Sequence, residues 1–453
     1  MDVKKIEEAL CFASAPDAAR LEAMLERALK LESLSTEALA SLLKIEDAAA
    51  LDMLCAYALK VKEKVFGTRI VFFAPLYVTN FCTNGCAYCG FNAKNSELGR
   101  KALTPKEAVA EATTLEKMGF KRVLLVAGED RTADVEKLAD TVREIYAHTG
   151  IRIVHVNAAP MTTEEFRVLK KAGVGVYQSF QETYHPETYA KMHPSGRKKD
   201  YAFRLGAMDR AMAAGFEDVG IGALLGLYDA RFDALAVIEH SRLLFERHGA
   251  HAHTISVPRL RPAEGSALDN EHVKKYAVSD FELRKITAVY RLAVPTAGVV
   301  ISTREPSALR NELISAGASQ FSAASRTDPG GYGGAEKVIE QFSTNDKRPL
   351  LEVMEAVIRR GAMPSLCTMC YRSGRVGHAF GETTRAGEME KFCNANAILT
   401  LKEYALEHPL NGLSGLFSGA IDKAVNSIKD ETLKKAVLEK IEKLEKGERD
   451  IHF

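Results

Sequence analysis

Eight short apolar runs, separated by helix-like segments, constrain this chain more than any other feature. They begin near Ile70, Val123, Ile153, Gly175, Val219, Thr254, Val299 and Gln320. Each shows little polar alternation, the pattern of parallel strands buried on both faces. The helices between them carry readable start signals. Thr104-Pro-Lys-Glu107 joins an N-cap Thr, a Pro at the first helical position and a capping-box Glu, and Thr162–Glu165 repeats the box. Further helices are expected around 132–148, 201–215, 230–248, 279–293 and 307–316. Eight such repeats over roughly 260 residues predict an α/β fold, a closed (βα)8 TIM-type barrel. An open doubly wound sheet would want a Gly-rich dinucleotide loop after its first strand, and none is there.

The flanks read differently. Residues 1–66 are Ala-, Leu-, Glu- and Lys-rich helices with Pro16 and Ser35 as start signals, and Cys11 and Cys55 are expected in their core. After residue 345 the strand rhythm stops, and helices are expected over 350–360, 395–407 and 419–446. The predicted division is an N-terminal helical region (1–66), a barrel (67–345) and a mostly helical C-terminal domain (346–453).

Charge narrows the function. Lys+Arg number 61 against Asp+Glu 60, so no global field calls for nucleic acid or an anionic membrane surface. No apolar run has the length of a membrane-spanning helix. The opening MDVKKIEEAL lacks the apolar core of a signal peptide, so a cytoplasmic protein is expected. In a reducing compartment, eight cysteines point to metal ligation rather than disulfides.

Six of those cysteines form two triplets. Cys82, Cys86 and Cys89 are spaced Cys-x3-Cys-x2-Cys just past the first strand, which in a barrel is the C-terminal mouth where active sites are built. Three thiolates from one loop can hold three irons of a 4Fe–4S cube and leave the fourth open, whereas structural zinc would want four ligands. Cys367, Cys370 and Cys393 follow the pattern Cys-x2-Cys-x22-Cys. From spacing alone this second triplet admits either zinc, with His378 as fourth ligand, or another cluster with an open iron.

The first triplet, with the aromatic Tyr88 before its last Cys, resembles the radical S-adenosylmethionine (SAM) superfamily. The resemblance implies that SAM chelates the open iron and is cleaved by one electron to a 5′-deoxyadenosyl radical. Ala127-Gly-Glu129-Asp130 resembles the Gly-Gly-Glu region that meets the SAM amino group, which makes Glu129 a cofactor-binding candidate with Tyr88. Glu182 is a candidate for the ribose or methionine end, and Arg210 for the SAM carboxylate. Taken alone, those two would read as a helix cap and a surface ion pair.

The pairing of both triplets resembles the HydG family, radical SAM tyrosine lyases that mature FeFe-hydrogenase. The segments Phe73–Tyr77, Gln181–His185, Met192–Pro194, His253–Arg259, Ser302–Glu305, Pro364–Arg375 and Gly447–Asp450 support it, so the likeness spans nearly the whole chain. It implies that L-tyrosine is cleaved between Cα and Cβ to p-cresol and dehydroglycine. Dehydroglycine then becomes CO and cyanide at a second 4Fe–4S cluster, which bears a labile fifth iron bridged by a free cysteine and held by a histidine. That histidine should be His253, which begins the sixth strand at the opposite mouth from Cys82–Cys89, so a channel through the barrel is expected. Arg304 and Ser322 are candidate anchors for tyrosine, with Arg259 and Arg261 as residues lining the channel. The implied partners are an electron donor such as a ferredoxin or flavodoxin and other hydrogenase maturation proteins. Two alternatives remain: a ThiH-type 2-iminoacetate synthase of thiazole biosynthesis, which lacks the second triplet and the histidine, and a non-enzymatic iron–sulfur scaffold.

Overall fold

The computed structural model describes residues 1–334 and 340–453, with the backbone alone at Arg131. Nine parallel strands form one sheet: β1 (Arg69–Thr79), β2 (Arg122–Ala127), β3 (Ile153–Asn157), β4 (Tyr177–Gln178), β5 (Val219–Gly222), β6 (Thr254–Ser256), β7 (Gly298–Ile301), β8 (Gln320–Ser322) and β9 (Met363–Ser365). Strands β2 to β8 follow in order, β8 pairs with β1, and β1 pairs back with β2, which closes the barrel.

β1 is the longest strand, 11 residues with every one buried. Ala74–Thr79 pair with β2, Val71–Phe73 with β8, and Arg69–Val71 with β9. Its unbroken run of Ile, Val, Phe, Leu and Tyr suits a backbone covered on both faces. β9 was not expected from the sequence. Met-Pro-Ser is too short and too weakly β-forming to announce a strand, and it is ordered by the free lower end of β1. β4 shrinks to two residues within the expected Gly175–Phe180 run.

The helices start where side chains can satisfy their first N–H groups. Both capping boxes form, at Thr104/Glu107 and Thr162/Glu165. Ser35 caps as expected, whereas the helix after Pro16 is capped by Asp17. The expected helix over 419–446 is two, Ser414–Ser427 and Glu431–Glu445, because Asp430 turns its carboxylate onto the Thr432 and Leu433 N–H groups and opens a new helix. Cys55 is buried as expected, but Cys11 is exposed, since its helix buries Ile6, Ala9 and Leu10 on another face.

The barrel interior is unusually polar. His155, Gln178, Thr254, Ser256, Gln320 and Ser322 are all buried strand residues, where TIM barrels normally stack branched apolar side chains. Two glycines make room for them. A Cβ at Gly298 would lie 2.2 Å from Gln320 Nε2, and one at Gly220 would lie 2.5 Å from Thr254 Oγ1.

One buried ion pair supports the wall that carries Ser322. Arg310, fully buried, pairs with Asp346 and donates to the Ser322 carbonyl, while Arg348 Nη2 reaches the same Asp346 carboxylate at 2.6 Å. Arg310→Met should therefore destabilise the protein by about 3 kcal/mol. Removing the exposed Arg27–Glu32 pair by Arg27→Ala should cost less than about 1 kcal/mol. Thermal melting of the two variants beside wild type checks the contrast.

Candidate active site

The C-terminal mouth of the barrel opens into a cavity of about 200 Å³. Its rim is the loop after β1, and Cys82, Cys86 and Cys89 all line it. The loop is pinned on several sides. Thr83 donates from N and Oγ1 to the Glu129 carbonyl, both at 3.0 Å, and Ala87 N donates to the Met192 carbonyl at 3.0 Å. Gly128 must be glycine here, because a Cβ would stand 2.2 Å from the Phe81 carbonyl oxygen.

The sulfurs face amide donors. Asn84 Nδ2 lies 3.6 Å from Cys82 Sγ and 2.7 Å from Glu129 Oε2, and Gln341 Nε2 lies 3.8 Å from Cys89 Sγ. Tyr77 Oη holds Gln341 in turn, at 2.8 Å from its Oε1. Burial pushes the Cys89 thiol up to about 12 and raises Cys86. Those two thiols therefore keep their protons at neutral pH, and metal binding must release them. A soft, all-thiol donor set with N–H groups aimed at sulfur fits an iron–sulfur cluster. Among the described residues no three His, Cys, Asp or Glu side chains converge on one point as ligands of a single ion do. A cube spreads its three thiolates, each on its own iron.

Tyr88 is fully packed into the wall. His193 Nδ1 bonds the Tyr189 carbonyl at 2.8 Å, which leaves Nε2 as the acceptor for the Tyr88 hydroxyl at 2.9 Å. Burial, with Lys198 nearby, lowers His193 to about 3, so the ring is neutral.

Glu182 also lines the cavity, in a left-handed conformation with φ 72°. Its Oε1 bonds Lys198 Nζ at 2.6 Å and lies 3.9 Å from Arg204. Burial opposes its charge, but those two cations prevail and hold the carboxyl below its ordinary range. Arg210 is not brought to the cavity. Its guanidinium is spent on the Met161 and Phe203 carbonyls at 2.8 and 2.6 Å, and Arg204, one turn and a half earlier, takes the place at the wall. Sequence reasoning missed Arg204 and Lys198, although the basic run Arg197-Lys-Lys199 beside Met192-His-Pro194 was a usable signal.

Arg304 and Ser322 both line the cavity. The Arg304 guanidinium stacks 3.3 Å from the centroid of Phe342 and, among the described residues, makes no hydrogen bond or ion pair. Ser322 Oγ accepts from Thr303 N at 3.2 Å, which leaves its own proton free to donate. The expectation that Arg259 and Arg261 line a channel is corrected. Both bind Glu305 Oε2, at 2.6 Å each, and neither faces the cavity. The cavity itself reaches Gln178, Ser256 and Val300 and includes none of the lower cysteines.

The second triplet sits at the other mouth. Cys367 follows β9, Cys370 lies on the short helix Met369–Arg372, and Cys393 on Met389–Glu407. The first residues of two strands meet it. Arg122 Nη2 donates to the Cys367 carbonyl at 3.0 Å, and Arg69 is buried beside Cys393 with one Nη1 unpartnered among the described residues. Burial pushes the Cys370 thiol up to about 12 and raises Cys367. Buried guanidinium charge against three thiols fits a net-negative thiolate cluster. His253 lies here too, with Nε2 2.9 Å from Tyr371 Oη and Nδ1 3.2 Å from Asp218 Oδ1. His378 is exposed and its Nδ1 faces Glu382 at 3.6 Å.

A closed parallel barrel whose first βα loop turns three thiols into the cavity at its C-terminal mouth defines a radical SAM enzyme. The radical SAM superfamily model matches residues 76–237, and that of the Biotin and Thiamin Synthesis associated domain matches residues 256–363. The chain belongs to the HydG family. A crystal structure of HydG, a maturase of the FeFe-hydrogenase, is 41% identical, covers 99% of both chains and superposes with a TM-score of 0.95. HydG from Carboxydothermus hydrogenoformans is 36% identical over 97% of each chain, with a TM-score of 0.84. The 2-iminoacetate synthase of Escherichia coli (strain K12) is 32% identical over 345 residues, 75% of this chain and 88% of that protein. Membership implies a 4Fe–4S cluster with SAM, a small-molecule substrate and a reductant. No helix among the described residues is long and apolar enough to cross a membrane.

The neutral His193 has a consequence for acid stability. Its folded pKa of about 3 lies below the unfolded value of 6.5, so between those limits the unfolded chain takes up a proton that the native state refuses. Stability should fall as pH drops from about 6.5 towards 3. His193→Gln should flatten that slope by up to about 1.4 kcal/mol per pH unit, measured by urea unfolding across the window.

Proposed function

We propose that this chain is a tyrosine lyase of the HydG type. It cleaves L-tyrosine between Cα and Cβ to p-cresol and dehydroglycine, and converts dehydroglycine to CO and cyanide for the FeFe-hydrogenase H-cluster. The observation that carries this reading is one barrel with a thiol triplet at each mouth and, in the cavity at the upper one, a guanidinium with no ion pair among the described residues. The similarity to both HydG and 2-iminoacetate synthase supports it.

Cys82, Cys86 and Cys89 hold the SAM-binding cluster, which with SAM supplies the radical that begins the cleavage. Glu129, fixed by Asn84, and Glu182, fixed by Lys198 and Arg204, orient SAM, and Tyr88 shapes the wall behind it. Arg304 pairs with the tyrosine carboxylate, because a half-buried guanidinium with no anion among the described residues favours one. Ser322 donates a second hydrogen bond. Cys367, Cys370 and Cys393 would hold a second 4Fe–4S cluster, and His253 would ligate a labile fifth iron that binds together with free cysteine. The division at residues 66/67 and 345/346 then assigns one cluster to the barrel and one to the C-terminal domain. A ferredoxin or flavodoxin delivers electrons, and other hydrogenase maturation proteins receive the product.

The test is anaerobic reconstitution with iron and sulfide, followed by SAM, dithionite and tyrosine. Wild type should yield p-cresol and CO, the latter captured on deoxyhaemoglobin. Cys393→Ala should keep p-cresol and lose CO. Wild type that makes p-cresol but never CO would favour the thiazole-type synthase, and SAM cleavage without p-cresol would exclude tyrosine. Arg304→Ala should raise the KM for tyrosine about 10- to 100-fold, the loss of one charge-assisted contact.

A further inference from the structure

Asp218, His253 and Tyr371 stand in line at the lower mouth, Asp218 against one ring nitrogen of His253 and Tyr371 hydrogen-bonded to the other. Asp218, just before β5, is almost fully buried. Its Oδ1 accepts from Gly377 N at 2.9 Å and stands 3.2 Å from His253 Nδ1, and its Oδ2 is buried with no partner among the described residues. A carboxylate only accepts, so its place beside Nδ1 favours the tautomer with the proton on that nitrogen and the lone pair on Nε2, which faces away from Asp218. That lone pair is already taken. Tyr371 Oη, on the residue after Cys370, donates to it at 2.9 Å. The Tyr371 ring is held in place, edge-on to His155 and His253 at 5.2 and 5.5 Å, with the Arg122 guanidinium 5.1 Å from its centroid.

An imidazole nitrogen has one lone pair, so a phenol and a metal ion cannot share it. We propose that Asp218 and Tyr371 are opposed positioning residues for His253. Asp218 fixes the tautomer and aim that make Nε2 a ligand, and Tyr371 competes for Nε2 and must swing away before iron can bind there. This rests on reading His253 as an iron ligand. The exchange breaks one O–H···N hydrogen bond and forms one N–Fe bond, the proton stays on the phenol, and no electron moves. A carboxylate behind a ligating histidine raises its basicity and fixes its orientation. The phenol adds a threshold, which keeps His253 from trapping metal weakly before the site is complete.

The two residues predict effects of opposite sign. Protein loaded with both 4Fe–4S clusters and stripped of loose iron by a chelator is titrated anaerobically with ferrous iron and L-cysteine in a calorimeter. Asp218→Asn should weaken ferrous binding about 10- to 100-fold, and Asp218→Glu should recover part of that loss. Tyr371→Phe, which removes only the hydroxyl, should tighten it about fivefold. Weaker or unchanged binding in Tyr371→Phe overturns the competition, and wild-type affinity in both Asp218 variants overturns the orienting role. His253→Ala separates the two levels. If it abolishes ferrous binding while the others behave like wild type, the ligand reading survives and the proposal fails. If it binds iron normally, the ligand reading itself is wrong.

Discussion

A single strand connects the two ends of this molecule. β1 rises about 3.3 Å per residue, so its 11 residues cover about 33 Å from Arg69 to Thr79. At its lower end Arg69 lies beside Cys393, at its upper end Tyr77 faces the cavity, and five residues after Tyr77 the chain reaches Cys82. Its three successive registers, with β9, β8 and β2, tie the C-terminal helices, the closing strand and the barrel to the same backbone. Neither triplet can shift relative to the other without breaking that ladder.

The two thiol sites are surrounded by different electrostatics. At the upper mouth Lys198 and Arg204 belong to Glu182, while Arg304 has no anion among the described residues. At the lower mouth Arg69 and Arg122 converge on the cysteines, and Arg69 keeps a nitrogen with no partner among the described residues. An unpaired guanidinium in a buried setting is costly, so each of these positions favours whatever negative charge the site receives. The upper site is thereby open to a small anionic substrate, and the lower one to a net-negative metal centre. Between them the barrel interior is polar, with His155, Thr254 and Gln320 buried where Val or Leu would ordinarily pack.

Much of this was legible in the residues. The apolar runs announced the strands because a parallel strand covered on both faces has no polar alternation to hide it, and the capping boxes announced the helix starts because they act within four residues. The cysteine spacings were visible for the same reason of locality. Less local features escaped. Arg210 and Arg204 are both arginines near the fourth strand, and only the packing decides that one spends its donors on carbonyls and the other reaches Glu182. Arg259 and Arg261 looked available until Glu305, more than 40 residues away in the chain, proved to hold both.

The sequence by itself determined the barrel and the two thiol triplets, because periodicity and close spacing are properties of neighbouring residues; their place at opposite mouths was what the family resemblance implied. Only the tertiary structure decided which charges are paired. It left Arg304 without an anion among the described residues, gave His253 to Asp218 and Tyr371, and built β9 onto the lower end of β1. The physical reason is that hydrogen bonds and ion pairs are satisfied in space. Which partner a buried polar group finds depends on segments that come together only when the chain has folded.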